Sequence, residues 1–213
     1  MIRAVVFDVG ETLTSDRRFW DDWAAWLDAP SYTVAALVGA VVAQGRDNAD
    51  ALKLIRPGLD LPTEYAAREA AGRGERLAEE DLYPDVREGL RALQDAGYWV
   101  GVAGNQTARA AALLRALDLP VNAVATSGEW GVAKPAPEFF ARVCSWAGFD
   151  ADRIVYVGDH PANDIVPACA AGLRTVHLRR GPWGYLWADS EGARQADWQT
   201  DTLHALPRLL AGS

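Results

Sequence analysis

The sequence predicts an α/β protein in which helices cover a doubly wound parallel sheet and a small helical cap is inserted into the core. Short apolar runs rich in β-branched residues recur along the chain, separated mostly by segments of helix length. Such alternation is typical of a parallel sheet with helices on both faces. One interval, residues 15–82, breaks this rhythm, because it contains Ala-rich amphipathic stretches and no convincing strand.

Five apolar runs are the predicted strands. They show little polar alternation, which suits strands that are buried on both faces. In open sheets of this type, ligands bind beyond the carboxyl ends of the strands, so the polar residues that follow each run are candidates for a functional site. The runs are Ala4–Phe7, Trp99–Ala103, Val121–Ala125, Ile154–Val157 and Thr175–Leu178.

The helical interval predicts a separate lobe. We expect the core to comprise residues 1–14 and 83–213 and the cap to comprise residues 15–82, with prolines and glycines dividing the cap into short helices. Its first segment carries Trp20, Trp23 and Trp26 at helical spacings. Packing inside the cap is the favoured interpretation of these aromatic residues, and an apolar substrate pocket is the alternative.

Composition and charge restrict the partners. The 213 residues carry a formal net charge of −8, which leaves no basic surplus for a nucleic acid or an anionic membrane. The apolar N-terminal stretch is broken at Asp8, too early for a signal peptide or a membrane span. Cys144 and Cys169 stand alone, and we interpret both as core residues. We expect a cytoplasmic protein, monomer or homodimer, that acts on a small molecule.

Acidic residues follow two of the predicted strands. Asp8 ends the first strand, Asp159 ends the fourth, and Asp164 lies five residues further on. In isolation, each of these aspartates could equally be a residue of a turn or a helix cap with no part in a functional site. Together they would form a concentrated negative cluster that requires a cation, and an all-oxygen ligand set favours Mg²⁺. Lys134 supplies a further positive charge, and Pro135 after it predicts that the lysine stands at a helix start.

Four short motifs occur in a fixed order along nearly the entire chain. They are Asp8, Gly104-Asn105, Lys134-Pro135 and Gly158-Asp159 with Asp164. This order resembles the haloacid dehalogenase superfamily, and the Gly-Asp-x-x-x-x-Asp pattern is the specific part of the match. The resemblance implies a Rossmann-like core, and the helical interval resembles the C1-type cap of that family.

By this resemblance, the chain is a Mg²⁺-dependent hydrolase, most closely a phosphatase for a small phosphorylated metabolite. Asp8 would attack phosphorus and form an aspartyl-phosphate, and Lys134 would neutralise charge beside it. The metal ligands implied are Asp8, the Gly10 carbonyl and Asp159, while Asp164 would support the metal site or hold Lys134. The phosphate would bind near Lys134 and the Gly104-Asn105 motif.

Two positions depart from the family pattern. Phosphatases of this superfamily usually carry a second Asp two residues after the nucleophile as general acid and base, and here that residue is Gly10. Gly104 stands where the family usually has a Ser or Thr that binds the phosphoryl group. Both replacements remove bulk beside the nucleophile, which suggests room for a larger group. Glu11 and His160 are weaker candidates for a replacement acid.

Two alternatives stay open at this point. A dehalogenase of the same fold also uses an aspartate nucleophile and lacks the second Asp, although the acidic fourth motif argues against it. A catalytically weak or silent relative that only binds a ligand is the other alternative.

Overall fold

In the computed structural model, which describes residues 1–212, the chain divides into two compact units. The core unit comprises Met1–Ser15 and Ala78–Ser213, and the helical unit comprises Asp16–Leu77. The second junction therefore lies at Ala78, five residues before the expected start of the core at residue 83. The reason is that Asp81 and Leu82 already pair with the loop after the first strand, where the Ser15 N–H donates to the Asp81 carbonyl at 2.7 Å.

The core unit is built on one parallel sheet. Among residues 1–212 the sheet has six strands, in the order β3-β2-β1-β4-β5-β6. All neighbouring strands run parallel, and helices surround the sheet, so the predicted α/β fold is confirmed. The strands are β1 Ala4–Phe7, β2 Trp99–Gly104, β3 Ala123–Thr126, β4 Ile154–Gly158, β5 Arg174–Leu178 and β6 Trp198–Thr200. The sequence did not predict β6, because this edge strand has only three residues and is partly exposed.

Helices of the core unit begin and end at residues that suit those positions. Thr107 accepts a hydrogen bond from the Ala110 N–H at the start of the helix Ala108–Ala116, and Gly148, with φ of 76°, ends the helix Pro137–Ala147 in the left-handed conformation. The helices are α5 Val86–Asp95, α6 Ala108–Ala116, α7 Ser127–Trp130, α8 Pro137–Ala147, α9 Val166–Ala170, α10 Gly181–Leu186 and α11 Leu206–Leu210. A π-helical turn, Pro161–Ile165, precedes α9.

The apolar core lies between the sheet and α8. Phe139 and Phe140 on α8 pack edge-on against Tyr156 of β4, with ring centroids 6.5 and 5.4 Å from the tyrosine ring. The Tyr156 hydroxyl is buried, yet it donates to the Ala103 carbonyl of β2 at 2.7 Å, so its burial leaves no polar group unsatisfied. The backbone ladders align the ends of these strands, because Phe7 at the end of β1 lies opposite Val102 of β2 and Val157 of β4.

The helical unit contains α1 Arg17–Leu27, α2 Ser31–Val42, α3 Asp50–Ile55 and α4 Leu61–Ala70. Asp60 caps α4 by accepting from the Thr63 N–H. Trp23 is fully buried and packs edge-on against Tyr65, with ring centroids 5.3 Å apart. Trp23 thus belongs to the apolar core of this unit, in line with the packing interpretation, whereas Trp20 and Trp26 are only partly buried.

No single helix within residues 1–212 is long and apolar enough to cross a membrane. Within these residues, α1 and α2 taken together have the length and apolar composition of a membrane span, but their axes are bent by 115°.

The two cysteines are free thiols. Cys144 and Cys169 were expected to be core residues, and each is only partly buried. Cys144 packs at the margin of the apolar core, and the Cys169 thiol lies 3.3 Å from the Thr175 hydroxyl.

Candidate active site

The carboxyl ends of β1 and β4 bring the predicted acidic residues together. The Asp8 N–H donates to the Val157 carbonyl at 2.9 Å, which fixes the end of β1 against β4. Carboxylate oxygens of Asp8, Asp159 and Asp164 all lie within 4.8 Å of one another. The three residues that the sequence placed at one edge of the sheet therefore form one cluster.

Lys134 lies inside this cluster. Its Nζ is 2.7 Å from Asp8 Oδ1 and 2.6 Å from Asp164 Oδ1. The lysine side chain is 3% exposed and that of Asp164 is 0% exposed, whereas the Asp8 side chain retains 12% exposure. Asp8 is therefore the member of this ion-paired group that a ligand reaches most readily. Charge-assisted contacts at these distances are strong and orient both partners.

Burial and mutual repulsion shape the protonation of the cluster. Burial raises the pKa of Asp8, although the charge of Lys134 opposes this shift. Burial, followed by the negative charge of Asp164, raises the pKa of Asp159 well above its usual value. Burial alone would lower the pKa of Lys134, but Asp164 and Asp8 outweigh it, so that the pKa of the lysine is well above its usual value. Lys134 therefore stays charged.

Three carboxylates share a single ammonium group in this cluster. The excess negative charge is costly in a buried place, and a divalent cation would offset it. The donors are carboxylate oxygens, which suit a hard ion such as Mg²⁺ rather than a soft transition metal. The residues present thus fit the metal that the sequence predicted.

Asp164 uses both of its oxygens within the protein. Oδ1 pairs with Lys134 Nζ, and Oδ2 accepts a hydrogen bond from the backbone N–H of His160 at 2.9 Å. Gly158 makes room for this carboxylate, since a Cβ atom there would lie 2.2 Å from Asp164 Oδ2. The sequence left open whether Asp164 supports the metal site or holds Lys134, and these contacts favour the second role.

Lys134 stands in a loop and not at a helix start. Helix α8 begins at Pro137, the Lys134-Pro135 peptide bond is cis, and the Ala136 N–H donates to the Ala133 carbonyl in a tight turn. The prediction from Pro135 was wrong because Pro137, two residues later, occupies the first helical turn. The loop that carries Lys134 is held by a side chain from the end of β2.

That side chain is Asn105. Its Nδ2 donates to the Lys134 carbonyl at 2.9 Å, and its Oδ1 accepts the Lys134 N–H at 2.8 Å. The amide oxygen and one of the two Nδ2 hydrogens of Asn105 are thus engaged with Lys134, so Asn105 fixes the position of the lysine. The phosphate contact expected of Asn105 would fall to its second Nδ2 hydrogen or to its backbone N–H.

Gly104 lies directly beside the Asp8 carboxylate. A Cβ atom at Gly104 would lie 2.4 Å from Asp8 Oδ1 and 3.2 Å from a methyl group of Val9. The space that the missing side chain leaves is thus filled by Asp8 itself. The suggestion that this glycine makes room for a larger substrate is wrong, since the room is taken by the acid.

The loop after Asp8 has an unusual backbone. Glu11 adopts φ of 52°, a left-handed conformation that is uncommon for residues other than glycine, and its N–H donates to the Thr14 carbonyl at 2.6 Å. Its carboxylate accepts a hydrogen bond from the Tyr83 hydroxyl. Electrostatic repulsion from Glu11 contributes to the raised pKa of Asp159 after burial, Asp164 and Asp8. Glu11 therefore adds negative charge near the acidic cluster.

Two buried residues brace the site in a way that the sequence did not predict. His177 of β5 is 1% exposed, and its Nε2 donates to the Asp159 carbonyl at 3.0 Å. Arg180 is 7% exposed, donates to the Thr12 carbonyl at 2.8 Å and pairs with Asp85. The sequence did contain a signal for His177, because this polar residue interrupts an apolar run that is typical of a buried strand.

Comparison with known proteins supplies the family. A family model described as haloacid dehalogenase-like hydrolase matches residues 2–172. The chain belongs to the haloacid dehalogenase-like hydrolases. The resemblance drawn from the four motifs is thereby confirmed at the level of the family and of hydrolase activity.

The relatives that are similar in sequence have the names of phosphatases. A glyceraldehyde 3-phosphate phosphatase of Methanopyrus kandleri is 30% identical over 201 residues, which cover 86% of each chain. A ribulose-1,5-bisphosphate 5-phosphatase of Halopiger xanaduensis is 35% identical over 63% of this chain and 59% of its own length. Several further relatives carry the name phosphoglycolate phosphatase.

Solved structures agree on the fold of this haloacid dehalogenase-like hydrolase. An L-2-haloacid dehalogenase from Xanthobacter autotrophicus, with chloropropionic acid covalently bound, is similar with a TM-score of 0.71 at 21% identity, covering 100% of this chain and 99% of that one. A phosphatase of the family from Thermococcus onnurineus gives 0.61 at 23% identity, with coverage of 100% and 99%. At these identities the likeness concerns the fold alone.

Proposed function

We propose that this hydrolase is a Mg²⁺-dependent phosphatase that cleaves a small phosphorylated metabolite through an aspartyl-phosphate at Asp8. The observation that supports it most is the pairing of Asp8, the partly exposed member of the cluster, with the buried ammonium of Lys134 at 2.7 Å. This arrangement presents a carboxylate nucleophile beside a fixed positive charge. The names of the similar phosphatases point to the same substrate class.

The metal would be held by Asp8, the Gly10 carbonyl and Asp159. Asp164 belongs to the same acidic cluster, and its contacts with Lys134 keep the ammonium in place. When bound, Mg²⁺ would supply positive charge to the oxygens of the phosphoryl group and of Asp8. Burial and then the charges of Asp164 and Asp8 raise the pKa of Asp159, and a cation bound beside this carboxylate would stabilise its ionised form.

The protein residues perform the two displacement steps. An oxygen of Asp8 attacks phosphorus as the bond from phosphorus to the leaving oxygen breaks, and Lys134 Nζ neutralises charge that would repel the incoming phosphate. Water then attacks phosphorus, which releases inorganic phosphate and regenerates the Asp8 carboxylate. Both steps keep Lys134 beside Asp8, because Asn105 and Asp164 hold the lysine at its backbone and at its Nζ.

The absence of an acidic side chain at Gly10 affects which phosphates would react fastest. Gly10 has no side chain to protonate the leaving oxygen, and proton transfer from a positioned group contributes about 10²- to 10⁴-fold in rate. Phosphates with stable leaving groups, such as aryl or acyl phosphates, are therefore expected to react faster than alkyl phosphates, the class to which the substrates in the names of the similar phosphatases belong.

A phosphatase screen tests the proposal. A broad panel of phosphorylated metabolites would be tested with Mg²⁺ and with a chelator, beside the variant Asp8→Asn. We expect release of phosphate that requires Mg²⁺ and is lost in Asp8→Asn. Activity that a chelator leaves unchanged would contradict the metal, and turnover of 2-haloacids in place of phosphates would favour the dehalogenase alternative.

A further inference from the structure

The helical unit contains a small cavity lined mainly by arginines. Its volume is about 230 Å³, and its walls are formed by Asp22, Arg68, Gly72, Arg73 and Arg76. All five residues belong to the unit Asp16–Leu77, and none has a part in the chemistry proposed for Asp8. Three guanidinium groups around one cavity are notable in a chain whose formal net charge is −8.

Arg68 is the buried arginine of this set. The residue is 2% exposed, and its Nε and Nη1 atoms have no hydrogen-bond partner among residues 1–212. Burial lowers the pKa of Arg68, which shows that its surroundings do not fully compensate the positive charge. A buried cation with unsatisfied N–H groups is costly, and an anion bound beside it would offset that cost.

Aromatic rings orient two of the guanidinium groups. Arg68 lies over the ring of Trp23, with its Cζ 4.3 Å from the ring centroid, and Arg73 lies over Trp26 at 5.2 Å. Stacking occupies the flat face of a guanidinium and leaves its N–H groups, which point outward in the plane, to bind an oxyanion. The positions of both charges are therefore set before a ligand arrives.

The acid on the cavity wall compensates only part of the positive charge. Asp22 is engaged by Arg76, whose Nη2 and Nε donate to its two oxygens at 2.6 and 3.3 Å. A bidentate pair of this kind uses both oxygens of the carboxylate. The charge of Asp22 also raises the pKa of Arg68, but burial outweighs it. With three guanidinium groups and one carboxylate, the cavity lining keeps an excess of positive charge.

We propose that this cavity binds a small oxyanion, a phosphate or carboxylate group, through Arg68 and Arg73. The guanidinium group matches the oxygens of both groups, and the cavity offers space for a small ligand. The site is an anion-binding site of the helical unit in its own right, and it does not depend on the reaction proposed for Asp8.

The test uses the full-length protein and the Trp23 indole as a reporter, because Arg68 lies on that ring. The assigned indole N–H resonance of Trp23 would be followed by NMR during titration with sodium phosphate and, separately, with sodium acetate, with sodium chloride keeping the ionic strength constant. We expect a saturable shift with at least one of the two anions. Saturation by phosphate alone identifies a phosphate site, and saturation by acetate alone identifies a carboxylate site.

Variants of three arginines make the test specific. Arg68→Met should weaken binding at least about tenfold, since a hydrogen bond to a charged group contributes about 1.5–3 kcal/mol. Arg73→Met alters an exposed residue, so it keeps the test valid if Arg68→Met does not fold. Arg46→Met is the matched control in the same unit, because Arg46 pairs with Asp50 away from the cavity, and it should leave the affinity unchanged. A Trp23 signal that fails to saturate with either anion, or equal affinity in the wild type and in a folded Arg68→Met or Arg73→Met variant, would overturn the proposal.

Discussion

Replacing Gly104 with alanine adds a single methyl group against the proposed nucleophile. The new Cβ would lie 2.4 Å from Asp8 Oδ1, far inside van der Waals contact, and the same oxygen is paired with Lys134 Nζ at 2.7 Å. The carboxylate must therefore move by about 1 Å, and a displacement of that size at a reacting group costs about 10²-fold in rate. Overpacking of this kind also destabilises the fold by about 1–3 kcal/mol.

The assay is kcat/KM on an aryl phosphate, measured together with the free energy of unfolding in urea. Gly39→Ala is the matched control, because Gly39 lies inside α2 and a Cβ atom there meets nothing within 4 Å. The control should keep full activity and gain up to about 1 kcal/mol from the higher helix propensity of alanine. A Gly104→Ala enzyme with activity close to that of the wild type would refute the argument that Gly104 exists to make room for Asp8.

Three further predictions concern charge and proton transfer. Lys134→Met should lower kcat/KM on the same substrate by at least about 10²-fold, since it removes the positive charge beside Asp8, whereas Lys53→Met, at an exposed ion pair, should have no effect on the measured rate. Rates on a series of aryl phosphates should fall steeply as the pKa of the leaving phenol rises, and Gly10→Asp should raise activity and flatten that dependence; a flat series in the wild type would mean that a proton donor exists. Burial would raise the pKa of Asp85, but hydrogen bonds from Thr202 and from the Leu203 N–H, with the charge of Arg180, hold that pKa below its usual value. The resulting stability is present above the unfolded-state pKa of about 3.9 and is lost as the pH falls through the folded-state pKa, so the difference in unfolding free energy between the wild type and Asp85→Asn should narrow below about pH 4. A difference that widens with acidification would contradict the assignment.

The strands and the acidic cluster followed from the sequence because each depends on local pattern. Buried parallel strands read as short apolar runs, and the carboxyl ends of such strands meet at one edge of the sheet, so Asp8 and Asp159 had to lie near each other. The first strand was predicted with its observed bounds, Ala4–Phe7, because Asp8 interrupts the run directly after it.

Other features of the site depend on contacts that local pattern does not encode. The amide of Asn105 binds the backbone of Lys134, which lies 29 residues later in the chain. Pro135 and Pro137 each predicted a helix start, and only the structure shows that α8 begins at Pro137. The close approach of Asp8 to Gly104 depends on the registers of β1 and β2, which only the folded sheet defines. For the same reason the missing side chain of Gly104 was interpreted as free space, whereas the Asp8 carboxylate fills that space.

The most direct measurement is the capture of the phosphorylated enzyme. The protein would be mixed with an aryl phosphate and Mg²⁺, quenched in acid within a single turnover, reduced with borohydride, digested and analysed by mass spectrometry. An aspartyl-phosphate is reduced to homoserine, so the peptide that begins at Ala4 and contains Asp8 should show that conversion, and the Asp8→Asn protein should show none. Turnover of the substrate with an unmodified Asp8, or with the modification at another carboxylate, would contradict the account.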